Sequence, residues 1–118
     1  MQLKDVTNRW LTRNAKTKGI IACGVRHADL STFNHTSSQD FSSPALDASW
    51  ECVAQTFQFL KQHKNELDQM CWAFQNHLLY CAWRADDTCL GIVTSSNHEE
   101  HDPATINRLI AEFKAIKK

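Results

Sequence analysis

The chain has 118 residues, 42% of them apolar and 22% charged, a balance ordinary for a globular protein able to bury roughly two-thirds of its unfolded surface. Thirteen basic residues offset thirteen acidic ones, so no electrostatic footprint for nucleic acid or an acidic membrane is present. The first residues lack the basic-then-apolar pattern of a signal peptide, and no apolar run approaches the ~18 residues of a membrane helix; these features predict a cytoplasmic protein folded as a single domain over 1–118.

Leu3, Val6, Trp10 and Leu11 recur at helical spacing, and Arg13, Lys16 and Lys18 gather where the carbonyl end of that helix would be, with Gly19 to end it. Gly19-Ile20-Ile21-Ala22-Cys23-Gly24-Val25 follows as a short apolar run rich in β-branched residues, which predicts a strand buried on both faces. A polar stretch leads to Thr32-Phe33-Asn34-His35-Thr36-Ser37, read as a second strand at a sheet edge. Ser43 as cap and Pro44 in the first turn then open a long helix. Its inward stripe is Leu46, Trp50, Val53, Phe57 and Leu60. A second stripe of Ala45, Ala48, Cys52 and Phe59 runs beside it, suited either to a second subunit or to a helix wedged in its own core.

After a polar connection over 61–68 come three short apolar runs, 70–75, 78–84 and 88–94. Asn76-His77 and Asp86-Asp87 punctuate them at two-residue spacing, as tight hairpin turns require. That register sets Trp72 opposite Cys81 and Trp83 opposite Leu90. One face would carry Met70, Trp72, Phe74, Leu79, Cys81, Trp83, Leu90 and Ile92, and the other Cys71, Ala73, Tyr80, Ala82, Cys89, Gly91 and Val93. Both faces are apolar, which predicts helical layers on both sides. Residues 95–101 read as a solvated loop. Asp102-Pro103 then starts a last helix with an inward face of Ile106, Leu109, Ile110, Phe113 and Ile116. The order makes an α+β domain.

No chemistry-bearing motif stands out. His98-Glu99-Glu100-His101 offers two imidazoles, whereas zinc wants three or four ligands, so the segment reads as a solvated approach to the last helix. The five cysteines are odd in number and lie in apolar runs. Cys71 and Cys89 would share a face about 9–10 Å apart, beyond the ~7 Å reach of a disulfide, so the thiols read as buried and reduced. His77 reads as an exposed turn residue, the three glycines form no phosphate loop, and the Asp86-Asp87 and Glu99-Glu100 pairs fall in loops. No catalytic residue, metal ligand or cofactor is assigned. Four tryptophans fit core stripes; the alternative is a small-ligand sensory domain of the PAS or profilin-like type, with a pocket beside them.

Gly-Ile-Ile-Ala-Cys-Gly-Val opening the sheet, the long helix from Pro44 and the meander from Met70 together resemble the roadblock family of dynein light chains and their bacterial relatives, over residues 6–116. The resemblance implies a five-stranded antiparallel sheet, the middle helix on one face and the terminal helices on the other. It implies a non-catalytic homodimer or heterodimer, built through the middle helix (44–63) and the third strand (70–75), that needs no cofactor and serves as a scaffold or regulator of a Ras-like small GTPase. The expected interface residues are Ala45, Ala48, Cys52, Phe59, Met70, Trp72 and Phe74. One departure stands out: relatives often carry Asp-Gly between the first two strands, and this chain has Arg26-His27-Ala28-Asp29-Leu30-Ser31, without glycine.

Overall fold

The computed structural model describes residues 2–65, 67–97 and 99–117. Eight elements follow in chain order: α1 (Leu3–Asn14), β1 (Ile20–Arg26), β2 (Thr32–Thr36), α2 (Ser43–Gln62), β3 (Gln69–Phe74), β4 (His77–Trp83), β5 (Cys89–Ser95) and α3 (Pro103–Ala115). The strands form one antiparallel sheet in the order β2-β1-β5-β4-β3, with α1 and α3 on one face and α2 on the other. The α+β architecture expected from the pattern is therefore the one observed.

Local chemistry accounts for the helix starts. Asp102 Oδ1 accepts from the Ala104 amide at 3.0 Å, with Pro103 at the first helical position, where its missing donor is no loss. In α2 the cap is Ser42, one residue earlier than predicted: its hydroxyl accepts from the Ala45 amide at 3.4 Å, and Ser43 is already helical. Phe41 then occupies the position before the cap and Leu46 the fourth helical position, the arrangement of a hydrophobic staple, and both join the cluster beneath α2.

Two cores result. Trp10 and Leu11 of α1 and Ile106, Leu109, Ile110 and Phe113 of α3 pack on Cys23, Val25, Tyr80, Ala82, Leu90 and Ile92. On the other face Leu46, Trp50, Val53 and Phe57 of α2 pack on Ala22, Leu79, Cys81, Cys89 and Val93. The centre of this second core is Trp50. Gly24 of β1 pairs directly with Gly91 of β5, and the indole lies across both. Its pyrrole side is over Gly24 and its benzene side over Gly91, so a methyl group at either glycine would run into the ring. The indole N–H donates to Asn34 Oδ1 at 2.7 Å; Asn34 Nδ2 in turn donates to Asp47 Oδ1 at 2.6 Å and to Ser43 Oγ at 3.2 Å.

The meander departs from the predicted register in two ways. Its first turn is Gln75-Asn76, with Gln75 at φ 48°, so Trp72 faces Leu79 instead of Cys81 and His77 is the first residue of β4, not a turn residue. That slip is an even number of residues, and the faces of β3 and β4 survive it. The second turn holds three residues, Ala85-Asp86-Asp87, closed by the Arg84 amide on Thr88 O at 2.9 Å, with Asp87 at φ 67°. Trp83 therefore faces Cys89, and every β5 side chain moves to the face opposite the predicted one. Leu90 and Ile92 lie under α1 and α3, while Cys89, Gly91 and Val93 lie under α2.

The cause of the three-residue turn is Arg84. Its buried guanidinium donates to both Asp86 oxygens at 2.8 and 2.9 Å, to Thr88 Oγ1 at 3.3 Å and to Phe113 O at 3.4 Å, and sits 4.7 Å above the Phe113 ring. Folding Asp86 back onto Arg84 places it inside the loop and ties the hairpin to the last turn of α3. Burial pushes the Asp86 carboxyl up, but the hydrogen bonds and charge of Arg84 outweigh it and hold the group below the usual range.

Between β1 and β2, Leu30 takes the left-handed conformation (φ 74°) that a glycine would otherwise supply. Asp29 accepts from the Ser31 amide and hydroxyl and pairs with Lys4 of α1 at 3.1 Å, so side-chain bonds replace the missing Asp-Gly turn and β2 forms as an edge strand. His27, buried beside this turn, has Nε2 2.8 Å from Asn8 Oδ1.

Two outcomes follow. Gly91→Ala is expected to lift α2 from the sheet and lower unfolding stability by about 3 kcal/mol in urea titration, and a loss below about 1 kcal/mol would mean the indole shifts freely. The second concerns pH. Burial, reinforced by Lys4, holds the His27 imidazole below its ordinary 6.5. The unfolded chain therefore protonates there first, and stability falls as pH drops from about 6.5 through the lower folded value. His27→Gln should flatten that slope in denaturation curves measured between about pH 7 and 5.

Candidate functional site

The residues expected to contact a partner lie on the α2 side of the sheet. Ala45, Ala48 and Cys52 fall at helical spacings of three and four, with Phe59 two turns further on, and all four are exposed; Phe59 is 58% exposed, its ring 4.2 Å from that of His63. The stripe is thus not wedged into the chain's own core. Met70 packs at the margin of the core beneath α2, whereas Trp72 and Phe74 project from the same face of β3 and remain 38% and 39% exposed.

β3 is a sheet edge carrying no charged residue and no proline. Asp68 O accepts from the Trp83 amide at 2.8 Å, which fixes the phase of the ladder. Met70, Trp72 and Phe74 bond to β4, and the amides and carbonyls of Gln69, Cys71 and Ala73 point outward.

Sequence reasoning missed two contributors. Phe41 stacks edge-on against both Phe74 (6.5 Å) and His77 (5.0 Å), and Phe74 stacks on His77 at 5.7 Å, so an aromatic group ties the start of α2 to the β3–β4 turn. The staple position of Phe41, directly before Ser42, was the signal available for it. His77 joins through the turn shift described above.

The cysteine expectation needs correcting. Cys23, Cys81 and Cys89 are buried, and burial pushes the first and last up to about 12. Cys52 and Cys71 are exposed, and all five are free. Cys71 and Cys89 do not share a face, because β5 is turned over; Cys81 and Cys89 do.

Among the described residues no group of three or more His, Cys, Asp or Glu could hold a metal ion. His98, of the His98–His101 segment read as a solvated loop, lies outside them. His101 is buried, not solvated, with Nε2 3.1 Å from the Tyr80 hydroxyl. Of the tryptophans, Trp10 and Trp50 are core residues, and Trp83 borders an open groove of about 300 Å³ with Phe57 and Leu67.

No family model matches the sequence, and no curated protein matches it. Solved structures do. The Roadblock/LC7 domain from Streptomyces avermitilis superposes with a TM-score of 0.62 at 14% identity, covering 91% of this chain and 90% of that one. The gliding protein MglB from Thermus thermophilus gives 0.66 at 13%, covering 98% and 91%. An MglB with a tetrameric arrangement gives 0.69 at 13%, covering 98% and 87%. At these identities the likeness is one of fold, and the chain has a roadblock-like fold.

Proposed function

We propose that the chain acts as a non-catalytic, homodimeric interaction protein that regulates or scaffolds a signalling complex, with a Ras-like small GTPase as the partner class. The observation that carries this reading is the pairing of an exposed apolar stripe on α2 with an undefended strand edge at β3. Exposed apolar side chains on α2 and β3 are costly to leave wet, and a strand edge without charge or proline invites strand addition. A two-fold axis answers both at once: the outward groups of Gln69, Cys71 and Ala73 meet their counterparts, and Ala45, Ala48 and Cys52 allow two helices to approach closely across the same axis. Trp72, Phe74 and Phe59 would supply the aromatic anchors that such interfaces favour.

The tetrameric arrangement named for one MglB of the same fold supports self-association as a mode open to this scaffold. The GTPase assignment rests on the roadblock resemblance. No helix among the described residues is long and apolar enough to cross a membrane, which is compatible with work in the cytoplasm. The reading calls for no cofactor.

Sedimentation at micromolar concentration should show a species of twice the 13.5 kDa chain mass. Ala48→Glu, which sets a carboxylate in the apolar stripe against its own copy, should weaken the dimer about a hundredfold without changing the melting of the monomer. Alkylation of Cys52 should slow as protein concentration rises. A chain that stays monomeric throughout, with Cys52 equally reactive at all concentrations, would end the proposal.

A further inference from the structure

We infer that the opposite sheet edge, β2 with the α1 surface beside it, is a docking site for an extended acidic segment of a partner protein, bound by strand addition. The backbone supplies the first argument. His27 N–H bonds to Ser31 O at 2.8 Å and Ser37 N–H to Ile21 O at 3.0 Å, so Phe33 and His35 are the β2 residues that pair inward to β1. The N–H and C=O groups of Thr32, Asn34 and Thr36 therefore point away from the sheet, and among the described residues none of them has a partner. β2 itself holds no charge and no proline.

Charge supplies the second argument. Arg9 and Arg13 on the exposed side of α1 and Lys16 in the turn just beyond it stand at successive steps of four and three, and none takes part in an ion pair among the described residues. They line two adjoining open grooves, of about 360 and 260 Å³, between α1 and β2. Phe33 forms part of the apolar wall, and the Thr12 hydroxyl lies 3.0 Å from His35 Nε2 across the grooves. In a chain with no net charge, this stripe is an unbalanced cationic surface beside an open strand edge. The α2 side of the same edge is different: Asp47 and Glu51 border Thr32 there, with Arg26, Leu30 and Ala48 in the same groove, so that side carries both signs of charge.

An added strand sends alternate side chains to the two faces. Those turned toward α1 meet Arg9, Arg13 and Lys16, and those turned toward α2 meet Asp47 and Glu51 together with Arg26. The site therefore selects a segment with carboxylates at every second position, facing α1, and uncharged residues between them. Main-chain bonds give the affinity, and the two faces give the register. The α1 side of this edge is distinct from the proposed dimer surface, because β2 and β3 are opposite ends of the sheet; on the α2 side the groove shares Ala48 with it.

The probe is a fluorescein-labelled peptide, Glu-Thr-Glu-Val-Glu-Thr-Glu, with Lys-Thr-Lys-Val-Lys-Thr-Lys as its counterpart. Anisotropy should show saturable binding of the acidic peptide alone, weakening as salt rises. Backbone amide resonances of Thr32, Asn34 and Thr36 should shift most. The double variant Arg9→Glu, Arg13→Glu, confined to exposed side chains, should weaken binding about tenfold or more with unchanged sedimentation. Arg9→Gln alone, which leaves the last turn of α1 intact, should weaken it with unchanged melting. Thr36→Pro, which removes an outward N–H and no ladder bond, should weaken it while Arg9 and Arg13 are intact. Equal binding of both peptides, shifts confined to β3, or affinity indifferent to the Arg9 and Arg13 reversals would overturn the inference. So would co-sedimentation with phosphatidylcholine–phosphatidylserine vesicles in the absence of peptide binding, which would assign the cations to a lipid surface.

Discussion

The contact between Trp50 and the Gly24–Gly91 pair sets the geometry of the α2 face. A helix on a sheet normally rests on side chains from both layers, about 10 Å away. Here two residues without side chains meet in register, and the largest side chain of the helix fills the space between. The indole is 1% exposed, so it contributes roughly the 3–5 kcal/mol expected of a fully buried aromatic. Its N–H would be costly if unmatched, and Asn34 of the edge strand accepts it. Asn34 is then held by Asp47 and Ser43, so the helix start, the sheet centre and the β2 edge are locked to one another through one side chain.

Fixing α2 over the β1–β5 centre determines what it cannot reach. Five strands about 4.8 Å apart span about 19 Å between the outer axes, and one helix with its side chains is about 10 Å wide. The opposite face has two helices, which cover it as far as β4 but leave Cys71 and Ala73 of β3 exposed. The α2 face has one, placed over β1 and β5, so the far strand must be left bare. The residues left there are Trp72 and Phe74, not charged ones. On the α2 face the bare strip follows from the position of Trp50, and its apolar character is a property of the sequence that the fold of this single chain does not require.

How far the pattern could be read depended on parity. Element types and most of the core stripes of the three helices followed from periodicity, although Leu3, Val6 and Leu60 are only half-buried while Thr7 and Ala54 are buried. The faces of β3 and β4 also followed, because the error in their register was even. β5 was turned over by one residue, since a three-residue turn replaced a two-residue one, and the reason is a bidentate Arg84–Asp86 contact whose other partners, Thr88 and Phe113, include a helix 29 residues away. Nothing local in Asp86-Asp87 announces that. The Gly24–Gly91 pairing was equally hidden: two scattered glycines become meaningful only when the sheet brings distant strands together under a tryptophan from a third segment. By contrast, the apolar stripe on α2 and the uncharged third strand were legible because both are local patterns.

The two edges of the sheet differ in a way that bears on assembly. A protein with two open strand edges risks open-ended growth, each copy adding to the next until a fibre forms. Pairing of β3 with its own copy about a two-fold axis is a closed operation and leaves the two β2 edges at the ends of an enlarged sheet. If those could pair with β2 of another copy, growth would continue. Antiparallel β2–β2 pairing would bring the Arg9, Arg13 and Lys16 stripes of both copies alongside the new junction, and like charges at such spacing oppose it. The charges that would attract an alternating acidic strand thus reject this chain's own edge, and one arrangement of residues accounts both for a finite assembly and for a selective end.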